Sequence, residues 1–194
     1  TVGQATQGIA NYIKHNAQDS KPGTVAICYD SRINSELFAH TAASVLAANG
    51  ITSYVYPRLE PTPALSFATR FLGCAMGINV TASHNPSQYN GYKAYGPDGC
   101  QIASDMADAI TECIEQVDIF DDVQSMSFEQ AQERGLVVMI GEDVLDAYLD
   151  SVYEQHVPQN LADRFQRFRI QLNRKQMTLC ASFILLCMAL VLSV

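Results

Sequence analysis

Apolar runs of strand length alternate with segments of helical periodicity along most of this chain, and that alternation constrains the fold more than any other feature. Buried strands are predicted at 24–29, 51–56 and 74–80, where the runs are short and apolar. Around them the spacing predicts helices at 2–16, 35–49, 62–73 and 105–117, and a short hairpin at 92–102. Strands connected through helices pair in parallel and need cover on both faces. The sequence therefore predicts a three-layer α/β/α domain with a mostly parallel mixed sheet.

One loop stands out because it follows a predicted buried strand. The run Thr81-Ala-Ser-His-Asn-Pro86 comes after the strand at 74–80, and Asn90-Gly-Tyr-Lys93 comes shortly after it. Open α/β sheets bind their ligands beyond the carboxyl ends of strands, which makes Ser83 a candidate site residue. Pro86 prevents a regular helix start and biases Asn85 toward extended geometry. We predict a stiff turn that projects Ser83 outward.

The residue types in this loop leave several chemistries open. A Ser-His pair suggests a hydrolase, but adjacent residues of an extended segment point to opposite sides, so His84 is poorly placed to accept the Ser83 proton. A serine hydrolase would need a distant histidine. Neither a Gly-x-Ser-x-Gly elbow nor a Gly-x-x-x-x-Gly-Lys-Ser/Thr loop is present. Lys93 is a cation that could stabilise phosphate charge or move a proton, or else an incidental lysine on a surface turn.

The loop resembles the phosphoserine loop of the α-D-phosphohexomutases, the phosphoglucomutase and phosphomannomutase superfamily. Three further motifs resemble that family in the same order: Tyr29-Asp-Ser-Arg32 is similar to its first-domain arginine motif, Pro61-Thr-Pro63 to a connector, and Gly96-Pro-Asp-Gly99 to the turn after the lysine. The resemblance covers roughly residues 1–157 and identifies them as an N-terminally incomplete domain I. The tyrosine in Gly91-Tyr-Lys resembles the phosphoglucomutase and phosphopentomutase branch.

The resemblance implies an intramolecular phosphotransferase that moves phosphate between the 1 and 6 (or 5) positions of a sugar phosphate through a phosphoserine. Its partners would be hexose or pentose phosphates and sugar bisphosphates, and its cofactor Mg²⁺. The implied roles fall on six residues: Ser83 as phosphoryl carrier and, through its phosphate, metal ligand, Lys93 in proton transfer or charge stabilisation, Arg32 as a phosphate contact, and His84, Asn85 and Asn90 in orienting loop or substrate.

Other motifs of that family are absent from these 194 residues. They are the metal loop Asp-Gly-Asp-x-Asp-Arg, the sugar-recognition loop Gly-Glu-x-Ser-Gly and the terminal phosphate-binding loop. Thr1 also lies beyond the place of the family's Gly-Leu-Arg-Gly segment, which includes an arginine at the site. We therefore expect a fragment that is inactive alone and supplies one oxygen to the Mg²⁺ shell. The alternative is a non-catalytic sugar-phosphate-binding or regulatory module.

The charge distribution sets the end of the chain apart from the rest. Residues 1–163 carry 7 basic and 20 acidic groups, whereas 164–194 carry 5 basic groups and no acid. The last 18 residues, 177–194, are uncharged, which meets the lower length limit for a membrane span with a basic flank. Residues 158–194 do not resemble the family. They are either a basic linker and tail anchor, which would attach the alternative module to a membrane, or the product of a truncated or misread reading frame.

Composition limits the remaining classes of function. The six cysteines show no Cys-x-x-Cys spacing, and Cys28 and Cys74 lie in predicted buried strands, which is typical of a reducing cytoplasm. No signal-peptide pattern opens the sequence. The acidic main part has no basic stripe to meet a phosphate backbone, so nucleic acid is not an expected partner.

Overall fold

The computed structural model describes residues 1–16 and 23–155. The elements in chain order are α1 (Val2–His15), β1 (Val25–Tyr29), α2 (Ser35–Ala48), β2 (Ser53–Val55), α3 (Thr62–Phe71), β3 (Met76–Val80), β4 (Tyr92–Tyr95), α4 (Ser104–Glu115), α5 (Phe128–Glu133), β5 (Val137–Met139) and α6 (Glu142–Glu154). Their order is the strand-and-helix alternation that the sequence predicts.

The strands form one mixed sheet in the order β4-β3-β1-β2-β5. β1 pairs in parallel with β2 and β3, and β5 extends the parallel part beside β2. β4 runs antiparallel to β3 at one edge. All residues of β1 and β3 are buried, because these strands lie inside the sheet with helices on both faces. The predicted three-layer α/β/α fold with a mostly parallel mixed sheet is confirmed.

Two apolar cores hold the layers together. On one face, α1, α2, α4 and α5 pack against the sheet through residues such as Ile9, Ile27 and Leu46. On the other face, α3 and α6 pack through Leu65 and Val144. Burying a large aliphatic side chain contributes about 1.5–3 kcal/mol, so the alternation of side chains along β1 and β3 gives each face its own stabilisation.

The sequence analysis predicted no element between 118 and the end of the fold, and the structure has three there. α5 and β5 are too short for side-chain periodicity to show. α6 is longer, and the acidic pair Glu142 and Asp143 in its first turn is a helix-start signal that the prediction did not use. The helix predicted at 62–73 spans Thr62–Phe71, with Pro61 in the cap position.

The predicted linker and apolar tail at 158–194 lie outside the described residues, as do Cys180 and Cys187. The boundary at 157 therefore stays a prediction. Within 1–16 and 23–155, no helix is both long and apolar enough to cross a membrane. In the same ranges the four cysteines are unpaired, with Cys28 and Cys74 buried as predicted.

Candidate active site

The site lies where β1 and β3 end side by side. The register of these parallel strands pairs Tyr29 with Val80, and the Asp30 N–H donates to the Val80 carbonyl at 3.3 Å. The segments that follow, beginning at Asp30 and Thr81, therefore leave the sheet together at its carboxyl edge. This is the edge at which the sequence placed the candidate serine.

Thr81–Gly91, here called the serine loop, connects β3 to β4 and is closed at its base. The Thr81 N–H donates to the Gly91 carbonyl at 3.0 Å. A Cβ atom at Gly91 would lie 2.6 Å from the Thr81 carbonyl oxygen, so the close approach of the two backbones requires glycine. Between these ends, residues 83–89 are all exposed.

Ser83 occupies an unusual backbone conformation. Its φ is 59°, in the left-handed region that non-glycine residues seldom adopt, and its N–H donates to Thr81 Oγ1 at 3.1 Å. Such conformations persist where the surrounding structure holds them and are concentrated at functional sites. The serine is exposed at the carboxyl edge, as the predicted projecting turn requires.

Arg32 lies beneath the serine loop and binds its backbone. Its Nη1 donates to the carbonyls of Asn85 (2.6 Å), Pro86 (2.9 Å) and Tyr89 (3.3 Å), and its Nη2 donates to the Ser83 carbonyl at 2.5 Å. Only 8% of the side chain is exposed. The guanidinium therefore faces the loop from the protein side.

Asp30 fixes the other end of that guanidinium. Its Oδ2 accepts from Arg32 Nε at 2.8 Å, and its Oδ1 accepts from the Arg32 N–H at 3.1 Å and from Ser35 Oγ at 3.0 Å. Burial raises the pKa of the Asp30 carboxyl, but hydrogen bonds from Thr81, Arg32 and Ser35 outweigh it and lower the pKa below its ordinary value. The carboxylate is thus held ionised beside the arginine.

Asn90 ties the far end of the serine loop to the start of α2. Its Nδ2 donates to the Ile33 carbonyl at 3.1 Å and to Ser35 Oγ at 3.0 Å, while its Oδ1 accepts from the Gly91 N–H at 3.2 Å. The Ile33 N–H donates to the Ser87 carbonyl at 3.2 Å. This geometry fits the loop-supporting role that the resemblance implies for Asn90.

Lys93 is half-buried on the edge strand β4, directly opposite Asn79 of β3. Opposite residues of an antiparallel pair project from the same face, and Asn79 Nδ2 donates to Thr62 Oγ1 at 2.8 Å. Lys93 is therefore on the face that carries the amino end of α3. Its ammonium makes no hydrogen bond or ion pair to the described residues.

His84 and Asn85 lie on the exposed outer part of the serine loop. The side chain of neither residue hydrogen bonds within the described ranges, and Asn85 is held through its backbone, whose carbonyl accepts from Arg32. No imidazole in this part of the chain hydrogen bonds Ser83. His40, on α2, instead stacks on Phe128 with ring centroids 3.9 Å apart. The arrangement gives no support to a serine hydrolase relay.

The described residues do not form a metal site by themselves. No group of three or more His, Cys, Asp or Glu side chains is placed to hold an ion among them. Asp30, the carboxylate within the arginine motif, is already engaged by Arg32 and Ser35. A phosphate on Ser83 is the one ligand that the resemblance places here.

Sequence reasoning missed several supporting residues. Ser35 connects Asp30 to Asn90, and Asn79 connects the central sheet to Thr62. Asn79 had a visible signal, because it is a fully buried amide within the apolar run Met-Gly-Ile-Asn-Val. A buried amide needs a hydrogen-bond partner, which the sequence could not identify.

Comparison with known proteins adds to the geometry. The family model for phosphoglucomutase/phosphomannomutase, alpha/beta/alpha domain I, matches residues 1–119. A phosphoglucomutase of Staphylococcus saprophyticus is 36% identical over 152 residues, which cover 78% of this chain and 27% of the relative. One from Staphylococcus aureus is 45% identical over 117 residues, which cover 60% of this chain and 21% of the relative. The chain thus spans about a quarter of the length of these relatives.

Solved structures show the same fold. A Thermus thermophilus protein assigned as a phosphomannomutase matches with a TM-score of 0.60 at 26% identity, over 73% of this chain and 29% of that protein. Paramecium parafusin, a phosphoglucomutase, matches with a TM-score of 0.58 at 24% identity, over 70% of this chain and 25% of that protein, and supports the fold alone. With the family model covering more than half of its length, the chain belongs to the phosphoglucomutase/phosphomannomutase family, in its alpha/beta/alpha domain I.

Proposed function

We propose that this chain is the phosphoserine-bearing part of a phosphohexomutase, in which Ser83 carries the phosphoryl group. The observation that supports this most is the exposed Ser83 itself, held in a left-handed conformation at the carboxyl edge of the sheet. Turn residues also adopt left-handed conformations, but the loop around Ser83 is in addition held by hydrogen bonds from Arg32 to four of its carbonyls.

The proposed step is a phosphoryl transfer from a sugar bisphosphate. Ser83 Oγ forms a bond to phosphorus, the bond between that phosphorus and a sugar oxygen breaks, and the serine hydroxyl proton passes to the departing oxygen. The products are phosphoserine and a sugar monophosphate. In the reverse direction, phosphoserine donates its phosphoryl group to the free 6 (or 5) hydroxyl of a sugar 1-phosphate and gives the bisphosphate. When Ser83 then takes the phosphoryl group at position 1, the 6- (or 5-) phosphate is left, so phosphate has moved between the two positions.

Phosphoryl transfer depends mainly on positioning and on neutralising charge. In this proposal the Lys93 ammonium stabilises charge or moves the proton, and the amino end of α3 on the same face adds a favourable dipole. His84 and Asn85 orient the outer loop or the substrate, and Asn90 supports the loop from α2.

Mg²⁺ is part of the proposal through the family and not through a ligand set in this chain. When bound, the ion would neutralise phosphate oxygens. The described residues would contribute the Ser83 phosphate to its shell. A cytoplasmic location and sugar-phosphate partners belong to the same proposal.

We further propose that these 194 residues do not turn over substrate alone. The metal, sugar-recognition and distal phosphate motifs of the family are absent from the sequence. Losing positioning and charge stabilisation together reduces rates by many powers of ten. Chemistry at Ser83 would then be limited to slow, single-site phosphorylation.

The test is phosphorylation of Ser83. The 194-residue protein is incubated with a hexose 1,6-bisphosphate and Mg²⁺, and modified peptides are identified by mass spectrometry. We expect phosphate on Ser83 and none on the Ser83→Ala variant. Conversion of glucose 1-phosphate to glucose 6-phosphate, measured beside it, should not exceed the same variant. No phosphate on Ser83, even when relatives' remaining domains are fused to the chain, would contradict the carrier role.

A further inference from the structure

Nearly all of the N–H donors of the Arg32 side chain bind acceptors within the protein. A guanidinium is a planar fork of N–H donors with no acceptor. Here Nε is on Asp30, the Nη1 hydrogens are shared among the carbonyls of Asn85, Pro86 and Tyr89, and Nη2 is on the Ser83 carbonyl. The side chain is 8% exposed. Little of it remains to meet a phosphate.

We propose that Arg32 is a positioning residue that sets the conformation of the serine loop, and that it does not bind substrate phosphate. This rests on the proposed role of Ser83 as phosphoryl carrier. It replaces the phosphate contact that the family resemblance implies for Arg32.

By binding loop carbonyls, Arg32 also sets the direction of the backbone N–H groups that follow them. In a trans peptide the C=O and the following N–H point in opposite directions. The carbonyls of Ser83, Pro86 and Tyr89 turn inward to Arg32, so the N–H groups that follow them turn outward. Those N–H groups, of His84, Ser87 and Asn90, have no acceptor among the described residues. Outward backbone N–H groups are the usual lining of anion-binding concavities.

The His84 N–H matters most because it directly follows Ser83. Arg32 holds the Ser83 carbonyl on the protein side, which directs the His84 N–H to the exposed side of the loop. A phosphoryl group on Ser83 Oγ would be on that exposed side. Arg32 therefore acts on the phosphoryl group through backbone dipoles that it orients.

Asp30 makes the arrangement rigid. It holds the Nε end of Arg32 and at the same time binds the Arg32 N–H and Ser35. A lysine at position 32 would keep the charge near Asp30 but would lack the planar fork that reaches several carbonyls at once. The proposal therefore predicts that lysine cannot replace Arg32.

The first measurement is hydrogen exchange in the 194-residue protein. The Asn85 N–H donates to the Ala82 carbonyl at 3.2 Å, and the Tyr89 N–H donates to the Pro86 carbonyl at 3.0 Å. In Arg32→Met and Arg32→Lys, these two amides should exchange roughly tenfold faster or more, while exchange of the β1 and β3 amides should rise only as far as a loss of global stability requires. Arg58→Met is the matched control, since Arg58 is exposed at the same sheet edge and binds no serine-loop residue. It should leave loop exchange at the wild-type rate. Should Arg32→Met not fold, Arg32→Lys decides.

The second measurement separates positioning from phosphate binding. The rate of Ser83 phosphorylation by hexose 1,6-bisphosphate is followed against concentration. Positioning predicts a saturating rate roughly tenfold lower or more in Arg32→Lys with KM unchanged. A raised KM with an unchanged saturating rate would overturn the proposal in favour of a phosphate contact. Loop exchange at the wild-type rate in the Arg32 variants would also overturn the positioning role. If no protein is phosphorylated, the proposed function of Ser83 has failed, and hydrogen exchange alone still tests the positioning role.

Discussion

Two arginines follow neighbouring parallel strands at the same edge of the sheet, and the structure uses them differently. Arg32, after β1, has 8% of its side chain exposed and donates to four backbone carbonyls of the serine loop. Arg58, after β2, has 52% exposed, and its partners among the described residues are the carboxylates of Glu60 and Glu142.

The difference teaches that the acceptors, more than the number of hydrogen bonds, decide what an arginine does. The Glu142 carboxylate is 66% exposed and can turn to water when Arg58 is lost, and Arg58 itself is half exposed, so this ion pair contributes little. Carbonyls of one loop cannot all turn away without changing its backbone. The half of the edge that holds Ser83 is therefore fixed, whereas the half around Arg58 joins an exposed arginine to one exposed and one largely buried carboxylate.

The largest difference between the two halves should appear in chemistry. Lys93→Ala should slow phosphorylation of Ser83 by roughly 100-fold, the scale of a lost acid-base or charge-stabilising group. Arg58→Ala should leave that rate unchanged, because Arg58 is committed to Glu60 and Glu142. Quantitative mass spectrometry over time measures both. Equal rates in wild type and Lys93→Ala would assign Lys93 to the surface.

Stability should show the next largest difference. Arg32→Met should lower the free energy of unfolding by about 2 kcal/mol, since it leaves several loop carbonyls and the Asp30 carboxylate without their donor. Arg58→Met should change it less, because Arg58 and Glu142 are exposed and only the Glu60 carboxylate, 12% exposed, loses a donor away from water. Urea unfolding followed by circular dichroism gives both values. A loss with Arg58→Met as large as that with Arg32→Met would remove the distinction between the halves.

Two glycines, Gly91 at the base of the serine loop and Gly141 next to the Arg58 partner Glu142, allow the same two halves to be compared. An alanine Cβ at Gly91 would lie 2.6 Å from the Thr81 carbonyl oxygen, which is backbone, whereas at Gly141 it would meet only the Asp143 carboxylate, which can rotate away. Gly91→Ala should therefore cost about 1–2 kcal/mol, and Gly141→Ala less than about 0.5 kcal/mol. Thermal and urea unfolding measure the costs. Matching values would mean that the base of the serine loop is not tightly closed.

The smallest effect should be a dependence on pH through Asp30. Its pKa is lowered in the folded protein, so its ionised form stabilises the fold above the ordinary value of 3.8, and that stabilisation is lost as pH falls through the lowered pKa. Asp30→Asn removes the titrating group. The stability difference between wild type and this variant should be constant from about pH 7 to about pH 5 and shrink below about pH 4. A constant difference down to about pH 2 would contradict the lowered pKa.

The sequence predicts the fold well where segments are long or bounded by clear signals. The apolar runs that became β1 and β3 and the periodic helices α1, α2 and α4 lie where the pattern places them. The prediction fails where elements are short. β5 has three residues and is stabilised by pairing with β2, a contact that no local pattern in Val137–Met139 reveals.

The candidate site also has features that local sequence predicts and features that it does not. Ser83 and the projecting turn were readable because Pro86 and the preceding strand act locally. The roles of Arg32 and Asn90 were not, because their partners are more than fifty residues away in sequence. The family resemblance implies a phosphate contact for Arg32, and only the structure shows that its N–H groups also bind loop carbonyls.

By itself, the sequence determined the strand order along the chain, the buried faces and the serine at a strand exit, since these follow from side-chain periodicity and local backbone preference. Only the tertiary structure decided which groups surround that serine. Arg32, Ser35 and Asn90 converge on the loop because β1 and β3 pair in register and end together at the sheet edge. Side-chain hydrogen bonds between segments depend on that pairing, and pairing is a property of the assembled sheet.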